Sequence, residues 1–124
     1  MEQERFGRLV VQAIERLPDE FHARLENIDV VVEARPTARQ LAETELGHDE
    51  TLLGLYEGVP LTQRSPYYGL VVPDKITIFQ KPIEVICKND TEIRNEICRV
   101  VQHEIAHHFG IGDTRLRQLE MDED

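Results

Sequence analysis

Hydrophobic positions recur at helical spacing in some stretches of the chain and gather in short β-branched runs in others. Phe6, Leu9, Val10, Ala13, Ile14 and Leu17 repeat at helical spacing with charges between them, which predicts an amphipathic helix ending near Pro18. Asp19 is suited to cap a shorter helical segment, EFHARLEN. IDVVVEA (28–34) is short and β-branched and reads as a strand. PTARQLAETEL (36–46) fits helix or loop, with Gly47 as its end.

LLGLYEG (52–58), GLVV (69–72) and KITIFQ (75–80) are the remaining strand candidates, the last two separated by Val72-Pro73-Asp74. From Pro82 the pattern turns helical again. PIEVICK makes a short helix with Pro82 in its first turn. Asp90 or Thr91 then caps a long helix to about Phe109, closed by Gly110 in the left-handed role. A last short helix, TRLRQLE, precedes the acidic EMDED tail. Helices at both ends with strands between predict one α+β domain over residues 1–124.

Composition narrows the function classes. Of the 124 residues, 40% are apolar and 31% charged, which fits a folded globular chain. The net charge of −10 repels phosphates and anionic headgroups and predicts neither a nucleic-acid nor a membrane partner. MEQERFGR has no apolar leader character and no apolar run is long enough to span a bilayer. Cys87 and Cys98 lack zinc-ligand spacing and are expected as buried free thiols in a reducing compartment. The cytoplasm follows by elimination.

The candidate chemistry lies in VVQHEIAHHFGIGD (100–113). Residues four apart on a helix are rotated by about 40° and separated by about 6 Å along the axis, so His103 and His107 can face one ion. Neutral imidazole suits Zn²⁺. Glu104 points to nearly the same side and is positioned as a base on a metal-activated water rather than as a close ligand. Gly110 allows a sharp exit, after which Asp113 brings a carboxylate as third ligand, with one coordination position left open. Asp113 could alternatively cap the TRLRQLE helix, although Thr114 in that role would leave it free, and Glu120 is the other ligand candidate. The glycine and the carboxylate make H-E-x-x-H-x-x-G-x-x-D far more specific than H-E-x-x-H alone. Val100, His103, Glu104 and His107 are expected to form a metal-facing stripe. His108 lies about 140° from His103 and is expected to be packed or to meet the helix C-terminal carbonyls. His22 and His48 have no partner at ligand spacing.

HEIAHHFGIGD resembles the extended metzincin signature with aspartate in place of the third histidine. LLGLYEGVPL, VPDKITIFQKPIE and HEIAHHFGIGD, in that order, resemble the short bacterial and archaeal minimal zincins over most of the chain. The resemblance implies a reduced zincin-like fold in which a small mixed sheet packs on the active-site helix. It implies one Zn²⁺ per chain on His103, His107 and Asp113, with Glu104 catalytic, and a peptide or protein substrate. Zincins commonly bind extended peptide along a strand edge, for which GLVV or KITIFQ would serve. Tyr56, Tyr67 or Tyr68 could donate to an oxyanion, as tyrosines do in some zincins, although strand tyrosines are more often only half-buried. Gly54 and Gly58 are expected to mark a bulge or turn.

Two departures from the larger zincins bear on activity. Met121, eight residues past Asp113, reads as core filler or tail rather than as a methionine turn. Only 17 residues follow His107 (108 to 124), which leaves no second lobe to wall the cleft. The site is then open, or a partner or second copy covers it. A zinc metallopeptidase is the first expectation. A catalytically weak or inactive zinc-binding interaction or regulatory module is the alternative, and a zinc hydrolase acting on a small amide is a third.

Overall fold

The structure is a computed structural model and describes residues 1–42, 52–58 and 74–109. Helix α1 spans Gln3–Glu15 and α2 spans Asp19–Arg24, followed by a 3-10 turn at Leu25–Asn27. Strand β1 is Ile28–Glu33, α3 is Ala38–Ala42, β2 is Gly54–Glu57 and β3 is Asp74–Phe79. Helix α4 is Gln80–Ile86 and α5 is Asp90–Phe109. The expected GLVV strand, Gly47, Gly110 and the TRLRQLE helix lie outside the described residues.

The sheet is mixed, in the order β1-β3-β2. β1 pairs parallel with β3, Val30 opposite Ile76, and β2 pairs antiparallel with β3, Tyr56 opposite Ile76. β3 is therefore central. Ile76, Thr77, Ile78 and Phe79 are all fully buried, so both faces of this strand are covered.

The core forms where the apolar stripes of α1 and α5 meet the sheet. Phe6, Leu9, Val10 and Ala13 pack with Ile93, Ile97, Val101 and Ile105, a four-residue repeat along one side of α5. Ile76 and Ile78 of β3 complete this cluster, with Leu17 and Phe21 at one end. The buried Cys98 thiol donates to the Ala13 carbonyl at 3.1 Å and joins α1 to α5.

Several helix starts differ from expectation by one residue. Asn89, not Asp90 or Thr91, caps α5: its Oδ1 accepts the Glu92 N–H at 2.9 Å and its side-chain amide donates to Glu92 Oε2 at 3.1 Å. An amide offers both an acceptor and a donor, so Asn89 closes a reciprocal pair that a carboxylate could not. Pro18 occupies the cap position of α2, because its extended backbone needs no N–H partner there, and Asp19 becomes the first helical residue. Thr37 and Gln40 form a full capping box on α3, with Gln40 N–H on Thr37 Oγ1 at 3.1 Å and Thr37 N–H on Gln40 Oε1 at 2.8 Å. The Gln40 side-chain amide then donates to Glu57 of β2 at 3.1 Å. Cys87 lies outside the helix expected to hold it, as the extended residue following α4, and is only half-buried. The remaining elements lie where the hydrophobic pattern predicts them.

Candidate active site

Helix α5 carries the candidate chemistry on two adjacent stripes. Val100, Glu104 and His108 recur every fourth residue on the side facing β2. His103 and His107 recur on the neighbouring side and are exposed, whereas Glu104 is half-buried and Val100 buried. Val100 thus leaves the expected metal-facing stripe and packs under the strand.

β2 runs along the first stripe with a matched step. Two strand residues advance about 6.7 Å and four helix residues about 6 Å, so alternate strand positions meet successive turns. Gly54 lies against Val100, and a Cβ built there would overlap the Val100 Cγ1 methyl and come within 3.2 Å of the Thr77 carbonyl. Gly54 is therefore a close-approach position rather than the expected bulge or turn. One step along, the Tyr56 N–H donates to Glu104 Oε1 at 3.0 Å. The Leu53 carbonyl accepts the Phe79 N–H at 3.0 Å, so odd-numbered positions of this segment face β3. The alternation turns the backbone of Gly54 and Tyr56 toward α5.

The Tyr56 side chain reaches further along the helix. Its ring stacks on that of His108, with centroids 3.9 Å apart and planes 15° from parallel. Its hydroxyl donates to Asp74 Oδ2 at 2.6 Å, and His108 Nε2 lies 4.0 Å from the same oxygen. The packing expected of His108 is found, on Tyr56. The Tyr56 hydroxyl is directed at Asp74 rather than at a reacting oxyanion. Tyr67 and Tyr68 lie outside the described residues, as does His48.

Burial pushes the Glu104 carboxyl above its ordinary range. The Tyr56 N–H and the nearby His107 and His103 rings favour its charged form but do not offset that effect. A cleft of about 210 Å³ extends from His103 and Glu104 back along α5. Leu53, Gly54 and Val100 line it, and the Arg99–Glu96 ion pair (2.6 Å) borders it one to two turns before His103.

The donor types fit zinc: two imidazoles one turn apart on an exposed helix face, beside a carboxylate held back by a backbone N–H. Asp113, the expected third ligand, and Met121 lie outside the described residues. Among the described residues, no group of three or more histidine, cysteine, aspartate or glutamate side chains is gathered closely enough to hold an ion.

The profile of the zincin-like metallopeptidases matches residues 25–123. The chain belongs to this family. No curated protein matches it. Among solved structures, this zincin-like chain is similar to a conserved hypothetical protein from Thermus thermophilus, at 23% identity and a TM-score of 0.54, over 88% of this chain and 94% of that one. That likeness concerns the fold. Family membership supports a zincin-like α+β architecture and, in general terms, zinc binding and peptide substrates. Among the described residues, no helix of this zincin-like protein is long and apolar enough to cross a membrane.

Two participants escaped sequence reasoning. The Tyr56 N–H is a backbone donor, and no side-chain type announces it. Asp74 reads as turn punctuation beside Pro73, and only the β2–β3 register reveals its partner. The Arg99–Glu96 pair was recoverable by extending the helical wheel backward from His103.

Proposed function

We propose that the chain is a zinc-dependent peptidase in which His103, His107 and Asp113 hold one Zn²⁺ and Glu104 is the general base. Zinc bound there would supply Lewis acidity toward a peptide carbonyl and an attacking water. Glu104 takes the proton of that water and returns it to the leaving nitrogen, so no covalent intermediate forms on the protein. Burial raises its affinity for a proton in the metal-free protein, which strengthens it as a base. The Tyr56 N–H fixes one carboxylate oxygen and limits the rotamers available to the base.

One observation carries this reading: a half-buried carboxylate, oriented by a strand N–H, lies on the α5 stripe next to two exposed imidazoles one helical turn apart. The cleft beside it supports an extended substrate with one side chain directed toward Arg99 and Glu96. The same Tyr56 contact favours a second reading, a zinc-binding interaction module, because it engages a carboxylate oxygen in the resting protein. The buried Cys98 thiol favours a reducing compartment, and we assign the protein to the cytoplasm.

The deciding experiment incubates zinc-loaded wild type and Glu104→Gln with a diverse peptide library and measures metal content in parallel. Cleavage by wild type alone, at equal zinc content, is the expected result. Equal zinc and no cleavage by either protein would sink the peptidase and favour the binding module.

A further inference from the structure

We propose that Asp74 is a positioning residue for Glu104, acting through Tyr56. This inference rests on the reading of Glu104 as the base. β2 is only four residues long and borders β3 on one side, so among the described residues the sheet alone anchors it weakly. Its outward backbone nevertheless carries the N–H that orients the Glu104 carboxylate. Something beyond the ladder must hold Tyr56 at that height on the helix.

The Tyr56 side chain supplies the hold at two points. Tyr56 is opposite Ile76 in the antiparallel register, so Asp74 is its diagonal neighbour on the same sheet face, within reach of an aromatic side chain. The hydroxyl donates to Asp74 Oδ2 at 2.6 Å, a short charge-assisted bond. The Asp74 side chain is only 17% exposed, so water competes poorly for that oxygen. The ring lies flat on His108, one turn beyond Glu104 on the same α5 stripe. His108 in turn lies 4.0 Å from the Asp74 oxygen that accepts the tyrosine hydroxyl. Asp74, Tyr56 and His108 thus close a triangle that joins β3, β2 and α5, and the Tyr56 N–H is fixed as a consequence.

Loss of the Asp74 carboxylate releases the hydroxyl, then the ring, and lets β2 drift from α5. The base then loses its orienting donor, although neither imidazole has moved. A displacement of about 1 Å in such a group costs up to about a hundredfold in rate. The effect falls on kcat with zinc content unchanged, because the base loses its orienting donor and neither imidazole moves. Leu53 and Gly54 of the β2 segment line the cleft, so KM shifts with the strand.

The test uses full-length wild type, Asp74→Ala, Asp74→Asn and Tyr56→Phe. In metal-free protein, NMR hydrogen exchange at the Tyr56 amide is expected to be at least tenfold faster in Asp74→Ala and Tyr56→Phe. The Ile76 and Ile78 amides should keep wild-type protection, and Asp74→Asn, which retains an acceptor oxygen, should recover part of the loss at Tyr56. In zinc-loaded protein, kcat should fall tenfold or more in the same two variants with zinc content unchanged, and Asp74→Asn should recover part of that loss. Wild-type protection of the Tyr56 amide in Tyr56→Phe, or a kcat loss that follows loss of zinc, overturns the proposal. Tyr56→Phe removes one oxygen only, so the comparison survives if Asp74→Ala does not fold. If wild type cleaves no peptide the proposed function fails, while the exchange data still decide whether Asp74 holds Tyr56 on Glu104.

Discussion

Replacing Gly54 with alanine tests how closely β2 and α5 must approach. In an ordinary strand this substitution would stabilise by about 0.5–1 kcal/mol, because alanine restricts the unfolded chain more than glycine does. Here the added Cβ would overlap the Val100 Cγ1 methyl and lie 3.2 Å from the Thr77 carbonyl. The carbonyl belongs to the central strand and cannot yield, and Val100 is itself buried, so the strand must move. Overpacking of this kind costs about 1–3 kcal/mol, which outweighs the entropic gain and sets the sign. At this chain length about 4 °C of melting temperature corresponds to 1 kcal/mol, so the net loss is about 5 °C at the centre of these ranges and up to about 10 °C. Thermal and urea denaturation of metal-free protein measure it. Val100→Ala removes the obstructing methyl, so Gly54→Ala/Val100→Ala should be less destabilised than the sum of the two single changes, by about 1 kcal/mol or more. A rise in melting temperature for Gly54→Ala, or strict additivity in the double variant, would refute the close-approach argument.

Glu104→Gln should stabilise the metal-free protein at neutral pH. Burial raises the folded carboxyl above its ordinary value of 4.5, so its stabilising contribution is present below that value and lost as pH rises through the folded one. The variant should therefore melt above wild type at pH 7, and the gap should close below about pH 4; a gap that widens in acid contradicts this sign. Cys87 should alkylate more slowly at pH 7.5 than in the unfolded chain, because burial and the Glu96 and Glu92 carboxylates disfavour its thiolate against the opposing pull of Arg99. Mass-spectrometric labelling checks this, with Glu96→Gln expected to speed the reaction and Cys98 to remain unlabelled until unfolding.

Periodicity located the elements because packing obeys it. The i, i+4 stripe Ile93, Ile97, Val101 and Ile105 is apolar for the same reason that it is buried. The short run of β-branched residues around Ile76 and Ile78 marked β3, whose burial is continuous from Ile76 to Phe79 because both faces are covered. Element ends were less legible, since Asn89, Asp90 and Thr91 all suit a cap and only the side-chain geometry chooses among them. In the site, the spacing of His103, Glu104 and His107 is a property of one helix and could be read directly. What holds Glu104 could not, because Tyr56 is 48 residues away and contributes a backbone group. Gly54 looked like a turn signal for a related reason: its role depends on Val100, 46 positions later, and no local pattern records that distance.

Zinc coordination by His103, His107 and Asp113 can be measured directly. Calorimetric titration of metal-free protein with Zn²⁺ should give one site per chain in wild type and in Glu104→Gln. Tight binding should disappear in His103→Ala and His107→Ala and weaken strongly in Asp113→Ala. Zinc bound with wild-type affinity after loss of either histidine, or a wild-type stoichiometry well below one, would contradict the central claim.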